Sequence, residues 1–369
     1  MPTFDTPAGS LQLATYPETG RETTQPWNSA DDYLLSEGLS DIPSDPHQAR
    51  LLIINDNWGA LSCPFAQLGY QVSCYTDSFC SRMAISHNQQ RNDIAENITL
   101  INDLTEASQD TDSIYIQLPK SFDSLHFWLS QLIDAGLAGK TLFIAGMAKH
   151  IPIKWLNWLE NHCQNYQQFP IRKKARLMTV TLPDRLPELK TLKGYEYNGN
   201  LYQGYPGVFA RDHLDIGSRV LLEHLPENIT GHVVDLGCGN GLLAKEIHRQ
   251  NPDIKLTLCD DSAVAIRSAQ ENLADIENAS FIHTDALQDL QQPADWIICN
   301  PPFHKGNQVL TDIAQRMFAQ AAQKLNKGGK LLVIANRHLP YSGQFKRHFG
   351  GFKVLHKDAK FSLYLCVKR

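Results

Sequence analysis

The chain has 369 residues, with 34 Lys and Arg against 39 Asp and Glu, and therefore a net charge of −5. A hydrophobic share of 42% with 20% charged residues is typical of a globular protein and excludes a disordered or collagen-like chain. The length predicts two domains, because single hydrophobic cores rarely grow past roughly 250–300 residues.

The sequence favours an intracellular protein without a metal site. No apolar run approaches the ~20 residues that a membrane helix needs, and residues 1–10 (MPTFDTPAGS) lack the pattern of a signal peptide. The eight cysteines form no CxxC pair and several lie in apolar runs, so we expect reduced, buried thiols. The histidines are scattered. We therefore expect a cytoplasmic protein that binds no metal.

Strand-like and helix-like segments alternate in both halves of the chain, which predicts an α/β fold with parallel sheets. In the first half, the predicted strands are residues 51–55, 71–75, 113–118, 142–152 and 174–180. In the second half, the predicted strands are 231–236, 256–259, 281–283, 296–299 and 330–335, and the predicted helices are 242–250, 263–273 and 312–325.

The two halves repeat one order of elements, which indicates an internal duplication. For example, SIYIQLP (113–119) corresponds to DWIICNP (295–301), and LFIAGMAKHIP (142–152) corresponds to LVIANRHLP (332–340). The segment 184–207 is the predicted linker, and its Asn-Gly pair suggests a small hairpin at 195–201. We place the boundary between residues 187 and 188.

Charge is distributed unevenly along the chain. Residues 1–60 hold nine acids against two bases, whereas residues 337–369 hold eight bases against one acid. Charge runs usually form solvated faces, but a basic cluster can also face RNA. A second basic cluster consists of Arg172, Lys173, Lys174 and Arg176.

The segment 235–241 (DLGCGNG) follows a predicted strand and opens a helix, as a ligand-binding loop does. Alternate glycines let the chain turn sharply and let a ligand lie against the backbone. The pattern is GxGxG and not the phosphate-binding GxGxxG, and the acid before it favours a cationic amino-acid ligand over a pyrophosphate. The candidate ligand contacts here are Asp235, Gly237, Cys238, Gly239 and Gly241.

Two further acids end the next two strands. Asp260 is placed to hold ribose hydroxyls, and Asp285, followed by Ala286, is placed to accept from an adenine amino group. The alternative for both acids is an ordinary helix N-cap. With the glycine loop, these residues resemble the class I S-adenosylmethionine-dependent methyltransferases, which implies S-adenosylmethionine as cofactor and two tandem Rossmann-like domains.

The segment 300–303 (NPPF) follows the fourth strand and carries the reaction. A ring-conjugated amino group is a poor nucleophile, and a site that accepts hydrogen bonds from both of its N–H groups favours the tetrahedral nitrogen. The Asn300 side chain and the Pro301 carbonyl are such acceptors, and Phe303 can stack on a flipped base. The motif leaves adenine, cytosine, guanine and glutamine amide open as substrates.

Over essentially the whole chain, the sequence resembles the bacterial rRNA guanine-N2 methyltransferases, which carry two related domains with one active. The resemblance rests on 206–211 (PGVFAR), 214–219 (LDIGSR), 300–304 (NPPFH) and 335–339 (ANRHL). The segments 26–35 and 59–63 look like the large-subunit branch, whereas 204–219 and 256–263 are at least as close to the small-subunit branch. We favour the large-subunit branch.

That resemblance implies N2-methylation of a guanosine in protein-free 23S rRNA by a monomer. It also implies that Phe209, Arg211, Asp215 and Gly217 border the cofactor and base pocket; core packing for Phe209 and a surface ion pair for Arg211 are the alternatives. Other open readings are methylation of 16S rRNA in assembled subunits, of DNA adenine or of a glutamine amide, and a non-catalytic RNA-binding factor.

The first domain departs from the methyltransferase pattern. Its loop at 55–60 (NDNWGA) keeps one glycine of three, and its counterpart of NPPF is LPKS at 118–121. We expect a degenerate domain over 1–187 that binds no cofactor and holds RNA through Arg172–Arg176, with the acidic residues of 1–60 facing away. The catalytic domain is then 188–369.

Overall fold

A computed structural model describes residues 2–18, 25–39, 49–302 and 308–369, with the main chain alone for 308–311. The chain divides into two compact units, Met1–Thr191 and Leu192–Arg369. This division lies four residues after the boundary placed between 187 and 188. None of the helices within these ranges is long and apolar enough to cross a bilayer.

The first unit contains a seven-stranded mixed sheet with helices and a separate small hairpin. The sheet order is β5-β4-β3-β6-β7-β9-β8, in which β9 runs antiparallel to β7 and β8. The elements are β1 (Thr3–Thr6), β2 (Gly9–Gln12), α1 (Ser29–Gly38), β3 (Arg50–Ile54), α2 (Ser62–Gln67), β4 (Gln71–Tyr75), α3 (Phe79–Arg91), β5 (Ile98–Ile101), β6 (Ser113–Gln117), α4 (Phe122–Asp134), β7 (Thr141–Met147), α5 (Ile153–His162), β8 (Gln164–Gln168) and β9 (Ala175–Thr181).

The second unit repeats this architecture. Its sheet order is β14-β13-β12-β15-β16-β18-β17, and a separate hairpin precedes it. The elements are β10 (Lys193–Tyr197), β11 (Asn200–Gly204), α6 (Ile216–Glu223), β12 (His232–Leu236), α7 (Leu242–Gln250), β13 (Lys255–Asp260), α8 (Ala263–Asn272), β14 (Ala279–His283), β15 (Ala294–Cys299), α9 (Gln308–Lys324), β16 (Leu325–Asn336), α10 (Ser342–Phe349), β17 (Lys353–Lys357) and β18 (Phe361–Val367).

The two sheets have one topology. Numbered within each sheet, both have the strand order 3-2-1-4-5-7-6, with strand 7 antiparallel to its neighbours. The central strands are buried on both faces because helices cover both sides of the sheet, as β6 illustrates, all five of whose residues are buried. The predicted tandem α/β fold is confirmed.

The structure differs from the predicted elements mainly at β16. The strand begins at Leu325, directly after α9, and includes the Asn-Lys-Gly-Gly segment, which lies between the predicted helix 312–325 and the predicted strand 330–335. The main chain of this segment is held to the end of the chain, since Gly328 N donates to Lys368 O at 2.8 Å and Lys368 N to Gly329 O at 2.9 Å. The predicted linker contains the hairpin β10–β11, whose turn is Asn198-Gly199 as expected.

Candidate functional site

The carboxyl ends of β12, β13 and β15 lie side by side at one edge of the second sheet. The register pairs Leu236 with Cys259 and also with Cys299, so the residues that follow these three strands converge. The sequence-predicted Asp235, Asp260 and Asn300 therefore share this edge, where open α/β sheets bind ligands.

The glycine loop combines open space with one packed position. Gly237, Gly239 and Gly241 all have positive φ (76°, 55° and 81°). A Cβ on Gly239 would meet nothing within 4 Å, whereas one on Gly241 would lie 2.6 Å from Leu273 Cδ1. Gly241 is therefore required for packing α7 against α8, and the surface at Gly239 is free for a ligand.

Asp235 lies under this loop, 1% exposed. Its Oδ2 accepts from Ala244 N at 3.2 Å, and its Oδ1 is buried without a hydrogen-bond partner in the described part of the chain. Burial raises the pKa of Asp235 to about 7, with Asp260 adding to the rise. Nearby, Asn240 Nδ2 is a buried donor that also lacks a partner among the described residues. Cys238 is buried, and burial raises its thiol pKa well above the usual value.

Asp260 fastens the glycine loop to the next helix. Its Oδ2 accepts from Gly239 N and its Oδ1 from Ser262 N, both at 2.9 Å. The N-cap of α8 is Ser262, whose Oγ accepts from Ala265 N, so Asp260 is not an ordinary cap. The carboxylate lies in the wall of the loop, next to the open position at Gly239.

Asp285 is buried beside an arginine that the sequence did not reveal. Arg316, on α9, donates from Nη2 at 2.9 Å and from Nε at 3.2 Å to Asp285 Oδ1. Ala286, the next residue, has a positive φ of 51°. The two partners are 31 residues apart in sequence, and no local spacing could have paired them. Asp285 is thus an ion-paired carboxylate and not a helix cap.

Asn300 has a fixed amide. Its Nδ2 donates to Asp215 Oδ2 at 3.0 Å and to Ser218 Oγ at 2.9 Å. Its Oδ1 is buried and has no hydrogen-bond partner within the described ranges. Asp215 is also the N-cap of α6, accepting from Ser218 N at 2.8 Å. Ser218 is the functional neighbour that the sequence analysis missed.

Gly217 provides the space that this arrangement needs. A Cβ there would lie 3.0 Å from Asp215 Oδ2, 3.3 Å from Phe361 Cε1 and 3.4 Å from Asn300 Oδ1. Pro301 is buried and Pro302 is exposed. Phe303, the predicted stacking residue, lies outside the described residues.

The two other pocket candidates of the second unit differ in exposure. Phe209 is 66% exposed, which fits a stacking surface and not core packing. Arg211 is 8% exposed and packs against the backbone turn at Gly204, where a Cβ would lie 2.8 Å from Arg211 Cβ. Arg211 therefore does not present an open surface charge.

The basic cluster of the first unit is largely paired within the chain. Lys173 Nζ lies 3.0 Å from Asp32 Oδ2, and Arg172 Nη1 lies 3.8 Å from Glu37 Oε1, so acids of α1 lie against the cluster and not away from it as expected. Arg176 donates to the side chain of Gln168. Lys174 is exposed in a two-residue turn in which both lysines have positive φ.

The corresponding loop of the first unit is closed by its own carboxylate. Asp56 is fully buried and accepts from five backbone N–H groups, at Trp58, Gly59, Ala60, Leu61 and Ser62, and from the Ser62 hydroxyl. These donors are the groups that an anion or a cofactor would otherwise use at a helix N-terminus. Within the described ranges, no group of three or more His, Cys, Asp or Glu could hold a metal ion.

Two family models match the chain, one in each unit. The family described as RLMG N-terminal domain matches residues 1–184, and the Methyltransferase small domain matches residues 201–365. A solved structure, the 16S rRNA N2 methyltransferase of T. thermophilus in complex with AdoMet and guanosine, has a TM-score of 0.80 at 23% identity. It covers 100% of this chain and 98% of that one, and it confirms the two-domain methyltransferase fold.

Full-length relatives carry one name. The Ribosomal RNA large subunit methyltransferase G of Stutzerimonas stutzeri is 36% identical over 100% of both chains. The protein of that name from Vibrio campbellii is 35% identical over 97% of this chain and 95% of its own. The predicted family and its large-subunit branch are confirmed: the chain belongs to the ribosomal RNA large subunit methyltransferase G family and is a methyltransferase.

Proposed function

We propose that this methyltransferase transfers a methyl group from S-adenosylmethionine to the 2-amino group of a guanosine in 23S rRNA. We further propose that it acts in the cytoplasm, as a monomer, on protein-free rRNA. The names of the full-length relatives support the large-subunit substrate. The observation that carries the chemistry is the buried Oδ1 of Asn300, which has no hydrogen-bond partner among the residues that the structure describes.

The side-chain oxygen of Asn300 is oriented to accept a hydrogen bond. Because both hydrogens of its NH2 group face Asp215 and Ser218, the oxygen has to face the other way. A buried acceptor without a partner is costly, and an incoming N–H donor relieves that cost. An exocyclic amino group of a base provides such a donor, and we assign its second N–H to the backbone carbonyl of Pro301.

The buried polar atoms around the glycine loop fit the amino-acid end of S-adenosylmethionine. Asp235 Oδ1 is an acceptor for its ammonium group, and Asn240 Nδ2 is a donor for its carboxylate. Gly237 and Gly239 leave room for close approach, and the Asp260 carboxylate accepts from Gly239 N beside this space. We assign Asp260 to the ribose hydroxyls and Asp285, Ala286 and Cys238 to the base of the cofactor. When bound, S-adenosylmethionine supplies an electrophilic methyl group on its sulfonium sulfur.

The protein's part in the reaction is orientation. Asn300 and Pro301 accept from the amino group and so turn its lone pair toward the methyl group, while Phe209 and Phe303 provide stacking surfaces for the base. Hydrogen bonds to both N–H groups strengthen as the nitrogen becomes tetrahedral and positive. No strong general base is needed, since the methylated amine is acidic and loses its proton to solvent.

The first unit has a different role in this proposal. Its Asp56 already occupies the N–H groups that follow β3, so the unit binds no cofactor and serves the fold or the RNA. The exposed Lys174 is its best candidate for a phosphate contact. The intact loop and Asn300 of the second unit argue against a non-catalytic RNA-binding factor.

Removal of the Asn300 side chain should separate catalysis from cofactor binding. We expect Asn300→Ala to lower kcat at least about a hundredfold with cofactor affinity unchanged within a few-fold, because the amide oxygen accepts from the amino group of the base, most strongly in the transition state, and not from the cofactor. Asp260→Ala is the matched variant and should weaken cofactor binding instead. Single-turnover rates and calorimetric titration measure the two effects, and equal loss of both in Asn300→Ala contradicts the role of Asn300.

Asp215→Ala tests whether the orientation of the Asn300 amide matters. One oxygen, Asp215 Oδ2, accepts from both Asn300 Nδ2 and Ser218 N, so this change removes an acceptor that holds the amide together with the N-cap of α6, which costs about 1 kcal/mol of stability. Asp215→Asn is the matched control, because its amide oxygen can replace Oδ2 and keep both bonds. Well below the unfolding midpoint, we expect kcat to fall at least about tenfold in Asp215→Ala and less than about threefold in Asp215→Asn, with cofactor affinity unchanged in both. A wild-type kcat in Asp215→Ala would refute the orienting role.

Asp235 should link stability to pH. Its carboxyl titrates near 3.8 in the unfolded chain and at about 7 in the fold, so its contribution to stability is full below pH 4 and is lost as the pH rises to 7. The side chain of Asp235→Asn cannot ionise, so this variant should not lose stability as the pH rises. We therefore expect the substitution to raise Tm more at pH 8 than at pH 5. Cofactor affinity should fall at least about tenfold. The exposed Asp253→Asn is the control; equal Tm shifts at both pH values would contradict the prediction.

The substrate assignment is tested with radiolabelled S-adenosylmethionine and three acceptors: protein-free 23S rRNA, protein-free 16S rRNA and assembled subunits. Digestion to nucleosides should give label in N2-methylguanosine from protein-free 23S rRNA. Label only from assembled small subunits would assign the chain to 16S rRNA. No label from any rRNA, with cofactor still bound, would favour the DNA adenine and glutamine amide alternatives that share the Asn-Pro-Pro motif.

A further inference from the structure

The sheet edge that carries Asn300 continues into a row of bases. The strand β16 pairs Val333 with Cys299 of β15 and then extends three residues further, to Asn336. Arg337 therefore follows β16 at the same edge at which Asn300 follows β15. Asn336 in turn pairs with Phe361, the first residue of β18, so Lys360 lies beside Arg337, whose N donates to Lys360 O at 2.8 Å.

Lys357 completes the row on the next strand. It ends β17 and pairs with Ser362 of β18. Arg337, Lys357 and Lys360, which we call the basic edge, thus lie on three neighbouring strands. At about 4.8 Å between strands, the row spans about 10 Å.

The charges of the basic edge are exposed and uncompensated. All three side chains are exposed, and none forms an ion pair with another described residue. The single acid of 337–369, Asp358, turns its Oδ1 into the chain, where it accepts from Lys360 N and Phe361 N at 2.6 Å. These bonds lower the pKa of Asp358. Lys360 Nζ also lies 5.1 Å from the centre of the Phe361 ring.

The basic edge is continuous with the reaction site. Phe361 and Asn300 both approach Gly217, each within 3.4 Å of the position of a Cβ there. When a base of an RNA strand reaches Asn300, the phosphate backbone of that strand passes this edge. In the Arg172–Arg176 cluster, in contrast, Arg172 and Lys173 lie against acids of α1, and Arg176 donates to the neutral side chain of Gln168.

We propose that the basic edge, Arg337, Lys357 and Lys360, binds the phosphate backbone of the RNA strand whose guanosine enters the site. This inference rests on the proposed rRNA substrate. It identifies the surface of the catalytic domain that binds this substrate. The charge complementarity is sequence-independent, so the edge supplies affinity and register while Asn300 acts on the base.

The test compares two triple variants of the full chain. One is Arg337→Gln with Lys357→Gln and Lys360→Gln. The matched control is Lys327→Gln with Lys346→Gln and Lys353→Gln, which removes the same charge from exposed positions of the same domain; Lys327 and Lys353 lie at the opposite ends of β16 and β17. Thermal unfolding and cofactor titration check that both variants fold and keep the pocket.

Binding of protein-free 23S rRNA is measured without cofactor between about 50 and 200 mM salt. Each phosphate contact contributes about 0.7–0.9 to the steepness of the plot of log K against log salt. The slope for the edge variant should therefore be shallower than that of the wild type by about two to three. We expect its affinity to fall at least about tenfold near 0.1 M salt, while the control changes by less than about threefold.

An unchanged slope in the edge variant, or an equal loss in the control, would overturn the proposal, as would a wild-type chain that binds no RNA. The outcome is separable from the methylation assay. If the wild-type chain methylates no rRNA and yet only the edge variant loses salt-dependent binding, the proposed reaction fails and the phosphate-binding surface stands.

Discussion

The N–H groups that follow the first strand of each sheet have to be satisfied, and the two units do this in opposite ways. In the first unit a buried carboxylate, Asp56, takes five of them. In the second unit the glycine loop keeps an open surface at Gly239, and Oδ1 of the underlying Asp235 has no hydrogen-bond partner in the described part of the chain. The same topology therefore gives one loop whose N–H groups are hydrogen-bonded to its own carboxylate and one loop whose buried polar groups need a ligand. The arrangement of the other site residues follows from which loop stays open.

Local pattern was enough to predict the fold and the edge of the site. The tandem sheets followed from strand and helix alternation, and the convergence of Asp235, Asp260 and Asn300 followed from the rule that parallel strands end at one edge. The helix at Leu242–Gln250 agrees residue by residue because a glycine start and a basic last turn define it locally. Where tertiary contacts decide, as for the β16 segment held by Lys368, the predicted strand was too short.

The sequence could not predict hydrogen bonds and ion pairs between residues that are far apart in the chain. Ser218 orients Asn300 across 82 residues, and Arg316 pairs with Asp285 across 31. The basic cluster at Arg172–Arg176 looked free in sequence, but folding brings it against acids more than 130 residues earlier. The sequence gives the number of charged residues in a segment. How much of that charge a surface presents depends on which of these residues form ion pairs in the fold.

The fixed amide of Asn300 also has a consequence for how a base can sit. An oxygen that cannot rotate away attracts an N–H group and repels a ring carbonyl or a ring nitrogen lone pair. In the proposed reaction, guanine would present donors at one end of its pairing edge and a carbonyl at the other, so only one way of inserting the ring would suit this oxygen. The network that holds the amide in place would then select the orientation of the base before any methyl group moves.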